Sequence, residues 1–135
     1  MGDGSLFHKG GNGKMFKKLE CVSIHTKDIE RSVSFYKEMG MKQNWMIERE
    51  LEEGVIWTLI GLKFPDEKSS ELVISNHPDI NFTEVEVLVE DVQQTYESLK
   101  DNKDVKWIRE PFPTESGHVA VMEAPDENVF VLVGK

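Results

Sequence analysis

The amino-acid sequence predicts an α+β fold of two βαβββ modules, each with one sheet face under its helix and the other turned inward. Three observations predict it. First, one stretch occurs twice: Leu19–Met41 returns 63 positions later, so that Cys21 falls on Glu84, Val22 on Val85, Ile24 on Val87, Asp28 on Asp91, Ile29 on Val92 and Ser32 on Thr95. Second, each copy switches from a two-residue apolar alternation to a helical one across an aspartate. Third, each copy leads into a set of short apolar runs separated by turn residues, which is the signature of strands. A repeat at this period means two copies of one supersecondary unit that fold together to bury what one copy leaves wet.

The first module opens with a strand, expected over about residues 17–25, with Val22 and Ile24 toward a helix and Cys21, Ser23 and His25 on the other face. Asp28 is the expected N-cap of a helix over about 28–39, with Ile29, Val33, Tyr36 and Met39 as its apolar stripe, Phe35 at the stripe's edge and Gly40 as its stop. Strands are expected at Met41–Glu50, carrying Trp45 and Ile47, and at Val55–Leu62, carrying Trp57, with Leu51–Gly54 as the turn between them. A loop around Pro65 leads to a short strand at Glu71–Ser75, and His77-Pro78-Asp79 connects the modules.

The second module repeats the order: a strand over about 83–89, then a helix over about 91–101 in which Asp91 and Gln94 have the spacing of a capping box. A strand over about 105–109 precedes a Pro111-Phe112-Pro113 loop, and strands at His118–Glu123 and Val129–Val133 flank a Pro125–Asn128 turn. The modules therefore occupy about residues 16–76 and 82–134 of a single domain over 15–135. Met1–Lys14 holds five glycines and almost no apolar pattern. It reads as a flexible tail or tag remnant, with Met15 a natural start.

Composition excludes several function classes. At 135 residues, 39% apolar and 30% charged, the chain has the make-up of one soluble globular domain. Its formal charge of −9 repels nucleic acid and anionic membrane, so neither is an expected partner. No apolar run approaches the ~20 residues of a membrane span, and no secretory leader is visible. The single cysteine, Cys21, allows no internal disulfide and fits a reducing, cytoplasmic location. There is no phosphate-binding glycine loop after a strand and no Gly-x-Ser-x-Gly elbow.

Candidate site residues lie on the faces turned away from the helices. Glu84 and Glu86 share such a face by strand alternation, as do Cys21, Ser23 and His25. Two glutamates within an otherwise valine-rich strand mark either a solvated face or a cavity where carboxylates meet a ligand. Trp45, Trp57 and Trp107 lie on strands, and one slip of register brings Trp45 onto Trp107. They are either core packing or flat faces for a planar or cationic ligand. Cys21 reads either as a small inward-facing hydrophobe or as a zinc donor with His25, Glu84 and Glu86.

The first strand and the run Asp28-Ile29-Glu30-Arg31-Ser32-Val33-Ser34-Phe35-Tyr36, together with the Ala124-Pro125-Asp126-Glu127-Asn128 turn, resemble the glyoxalase, bleomycin-resistance and extradiol-dioxygenase superfamily, whose turn before the last strand is Asp-Pro-Asp-Gly-Asn. The resemblance spans about residues 16–134 and agrees with the repeat. It implies the paired-module cup, a homodimer, and in the metalloenzymes four ligands of His, Glu, His and Glu. In this chain those positions carry Cys21, Glu84, Val131 and, near the remaining one, Val73 with Glu71 flanking it. A valine ligates nothing. The resemblance also extends to members that bind a cationic drug without metal or catalysis. The resulting expectation is a small-molecule-binding protein without cofactor, whose ligand meets Cys21, Ser23, His25, Trp45, Trp57, Glu84, Glu86, Trp107 and Val131. The alternative is a lyase, isomerase or dioxygenase using a divalent metal on Cys21, His25, Glu84 and Glu86.

Overall fold

The computed structural model of the chain describes residues 15–135; the tail expected over residues 1–14 lies outside them. The elements are β1 (Lys18–His25), α1 (Ile29–Glu38), β2 (Lys42–Glu52), β3 (Val55–Lys63), β4 (Glu71–Ser75), β5 (Glu84–Leu88), α2 (Val92–Leu99), β6 (Lys106–Thr114), β7 (Gly117–Ala124) and β8 (Asn128–Gly134). This is the βαβββ order twice, in an α+β fold. The chain divides into two compact units, Leu19–Glu86 and Val87–Lys135, the latter joined by the segment that ends at Lys18.

Each helix starts for the same local reason. Asp28 and Asp91 stand in extended conformation, and their carboxylates accept the backbone N–H of Arg31 at 3.1 Å and of Gln94 at 2.9 Å. Each thus satisfies one of the donors that a first helical turn leaves without a partner. In the first unit the strand order is β2-β3-β4-β1. β1 and β4 run parallel with Val22 opposite Leu72 and Ile24 opposite Ile74, and β3 runs antiparallel to both its neighbours. Val33, Met41, Ile60, Leu62 and Ile74 form the core, with Ile24, Ile29, Tyr36 and Leu72 packed against it.

The helix stripe departs from expectation at its end. Met39 is the C-cap and is 61% exposed, whereas Met41 is 6% exposed. Gly40, at φ +105°, turns the chain so that Met41 enters the core in place of Met39.

β5 passes from the first unit into the second at Val87, and the strand order there continues β5-β8-β7-β6. The second unit's core is Val87, Val89, Val92, Ala120, Met122 and Leu132, with Leu99, Val105, Trp107, Ala124 and Phe130 against it. Pro111-Phe112-Pro113, expected as a loop, lies inside β6. β6 is the last strand in the order, and an edge strand tolerates residues that lack an N–H; its ladder to β7 shifts register between Trp107 and Arg109 and again between Arg109 and Phe112. The turn before β8 is a single 3-10 turn, Pro125–Glu127, in which Asp126 and Glu127 take φ of 64° and 65°.

Candidate functional site

The site is built on the face of the first unit that points away from α1. Register fixes which side chains share it. Cys21 lies opposite Glu71, Ser23 opposite Val73 and His25 opposite Ser75. Ser75 lies opposite Leu59 and Val73 opposite Gly61. Trp45 continues the row from Gly61, and Arg49 lies opposite Trp57. Because Ile60, Leu62 and Ile74 belong to the core under α1, the alternating residues between them face the other way.

Cys21 and Ser23 are both 5% exposed. The Cys21 thiol is hydrogen-bonded to the Glu86 carboxylate. Burial, then the charge of Glu86 and the bond to it, push the thiol far above its ordinary value, so it is held protonated. Burial likewise raises the carboxyls of Glu84 and Glu86. The bond from Cys21 partly offsets the rise at Glu86, and the charge of His77 partly offsets the rise at Glu84. Two desolvated carboxylates two residues apart, one bonded by a neutral thiol, form a polar spot whose full ionisation is disfavoured.

Two further clusters lie on the same face. The Trp45 indole lies flat over Gly61: a Cβ on that glycine would fall 2.1 Å from Trp45 Cε2. Trp45 Nε1 donates to Glu71 Oε1 at 2.8 Å and Asn44 Nδ2 donates to Glu71 Oε2 at 2.6 Å. Both oxygens of the carboxylate opposite Cys21 are therefore engaged. Trp57 Nε1 donates to Ser75 Oγ at 2.9 Å, and the His77 backbone N–H donates to the same oxygen at 3.3 Å. The Trp57 ring meets His77 edge-on at 4.7 Å, with the Arg49 guanidinium 4.8 Å from its centroid. His25 Nδ1 is buried without a hydrogen-bond partner.

The expected residues thus separate. Cys21, Ser23, His25, Trp45, Trp57, Glu84 and Glu86 all lie within the first unit. Trp107 packs into the core of the second, edge-on to Tyr96 at 4.9 Å, opposite the core residue Met122. The slip that brings Trp45 onto Trp107 explains this: 62 positions instead of 63 is an odd shift along a strand, and one residue of slip exchanges the faces. Val131, 7% exposed, lies opposite Val121 in the second unit. Asn44, Ser75 and His77 were missed by sequence reasoning, and Glu71 was placed only beside the remaining ligand position, near Val73. Parallel pairing of β1 with β4 would have found Glu71, because it sets Glu71 and not Val73 opposite Cys21.

These residues do not suit the metal of the superfamily's metalloenzymes. Among the described residues no three His, Cys, Asp or Glu side chains gather so as to hold a metal ion, and this covers Cys21, His25, Glu84 and Glu86 as a set. Glu71 already accepts two hydrogen bonds, from Trp45 and Asn44.

No curated protein matches the chain in sequence. Solved structures match it in fold. A hypothetical protein, BH1468, of Bacillus halodurans C-125 superposes with a TM-score of 0.68 at 18% identity, over 87% of this chain and 94% of that one. The methylmalonyl-CoA epimerase of Mycobacterium tuberculosis gives 0.65 at 13% identity, over 89% of each chain. That of Streptomyces coelicolor gives 0.63 at 17% identity, over 89% of this chain and 95% of the other. The sequence profile of the glyoxalase/bleomycin resistance protein/dioxygenase superfamily matches residues 18–132, and the chain belongs to that superfamily.

Proposed function

We propose that the chain is a metal-independent, cytoplasmic small-molecule-binding protein that takes a planar or cationic ligand on the first unit's inner face. The observation that carries this reading is the pair of carboxylates Glu84 and Glu86, both raised by burial on the strand beside Cys21. Such groups gain from an incoming cation, which restores their ionised state and supplies the charge that desolvation withholds. Trp57 supports a flat ligand: its ring is already a cation platform for Arg49. The ligand's contacts are expected to include Cys21, Ser23 and His25, whose buried Nδ1 would gain a partner.

The test is titration of the protein with bleomycin and with ethidium, a flat aromatic cation, read by tryptophan fluorescence. Glu84→Gln should weaken binding about tenfold or more while leaving thermal stability at pH 7 unchanged or raised. A loss of stability above about 2 kcal/mol would instead mean that Glu84 is structurally paired, and the reading fails. Elemental analysis of protein purified without chelator separates the alternative: stoichiometric metal would favour an enzyme with an altered ligand set.

A further inference from the structure

We infer that Arg49 sits on Trp57 as an internal competitor for the ligand, and that this contact selects a compound that is both flat and cationic. This rests on the function proposed above and narrows its ligand from planar or cationic to planar and cationic. Arg49 and Trp57 lie opposite each other on β2 and β3. The guanidinium stands over the indole, 4.8 Å from its centroid. Both side chains are half-buried.

Trp57 is held in place by groups other than Arg49. Its Nε1 donates to Ser75 Oγ at 2.9 Å, and Ser75 is 5% exposed. The His77 backbone N–H donates to the same oxygen, and the His77 ring meets the indole at an interplanar angle of 77°. A buried serine at the ring's nitrogen and an imidazole against the ring fix its orientation, so the platform persists when the guanidinium leaves it. Trp45 is different: its ring lies over Gly61 and its Nε1 is bonded to Glu71. Of Trp45 and Trp57, it is Trp57 whose ring carries a cation.

Any ligand that takes this ring displaces Arg49, and the exchange decides what binds. A neutral flat ring removes a cation from the indole's negative face and returns none. A compact ammonium ion returns the charge, but it is strongly hydrated and covers less of the indole than the planar guanidinium it replaces. A flat aromatic cation returns the charge and adds stacked apolar area, so it alone gains over Arg49.

The experiment titrates ethidium into wild type, Arg49→Met and Arg49→Lys, read by the dye's own fluorescence, with tetramethylammonium as the small competing cation. Arg49→Met keeps an apolar stem and removes the charge, and it should bind ethidium at least about threefold more tightly than wild type. Arg49→Lys keeps the charge but loses the planar group, and it should still bind about twofold more tightly, which a loss of positive charge does not explain. Tetramethylammonium should compete with ethidium in Arg49→Met and not in wild type. Adding Trp57→Leu to Arg49→Met should abolish the gain. A gain that survives Trp57→Leu would trace to charge alone and overturn the inference. Ethidium binding that Glu84→Gln weakens, but that neither Arg49 variant tightens, would overturn the inference and leave the proposed function standing. No ethidium binding by wild type or by either Arg49 variant would overturn both.

Discussion

Glu86 gives stability a pH dependence whose sign follows from its burial. Burial raises its folded pKa above the unfolded value of about 4.3. The ionised form therefore disfavours the fold. That penalty is present in full above the folded pKa and fades as pH falls through it toward the unfolded value. Glu86→Gln should melt at or above wild type at pH 7.5, and the difference should vanish toward about pH 4. A melting series across this range checks it, and a variant that melts lower at pH 7.5 would show that the carboxylate is needed as an ion. Cys21→Ala removes the thiol that donates to Glu86, so it should steepen the pH dependence that wild type shows. Strand alternation alone placed Cys21 with Ser23 and Glu84 with Glu86. It could not place Asn44, Glu71, Ser75 and His77, because those arrive through pairing between strands distant in sequence.

Strands and turns carry the next tests. Trp45 over Gly61 ties β2 to β3, and the ring leaves no room for a side chain. Gly61→Ala should destabilise by about 1–3 kcal/mol and shift the tryptophan emission as the indole leaves Glu71. In a Trp45→Ala background the same change should cost much less, and a double-mutant cycle measures that coupling. At the turn before β8, Glu127 holds φ 65° where the superfamily's turn has glycine. Glu127→Gly relieves a left-handed residue but frees the unfolded chain, so a net gain of about 0.5–1 kcal/mol is expected in denaturant melts. Most element boundaries were legible within two residues, because aspartate caps and glycine stops are local signals. β6 was not: two prolines read as a loop, and only its place at the end of the strand order shows why a strand accepts them.

At the scale of the whole molecule, the fold class was legible because the repeat is a property of the entire chain and survives local misreadings. The superfamily's ligand positions were legible in part: Val73 and Val131 stand where donors would be, but the bonds that engage Glu71 exist only in the folded chain. A formal charge of −9 repels itself within the folded chain and between copies. Raising sodium chloride from about 10 to about 200 mM should therefore raise the melting temperature. A fall would place specific ion pairs above net repulsion. Cys21 has a practical consequence as well. It is the chain's one sulfhydryl, and it is buried and protonated. A maleimide dye or nitroxide label offered to the native protein will find almost nothing to react with. A cysteine placed by mutation on the surface will take the label alone, so the wild-type chain is already a clean background for distance measurements by resonance or fluorescence.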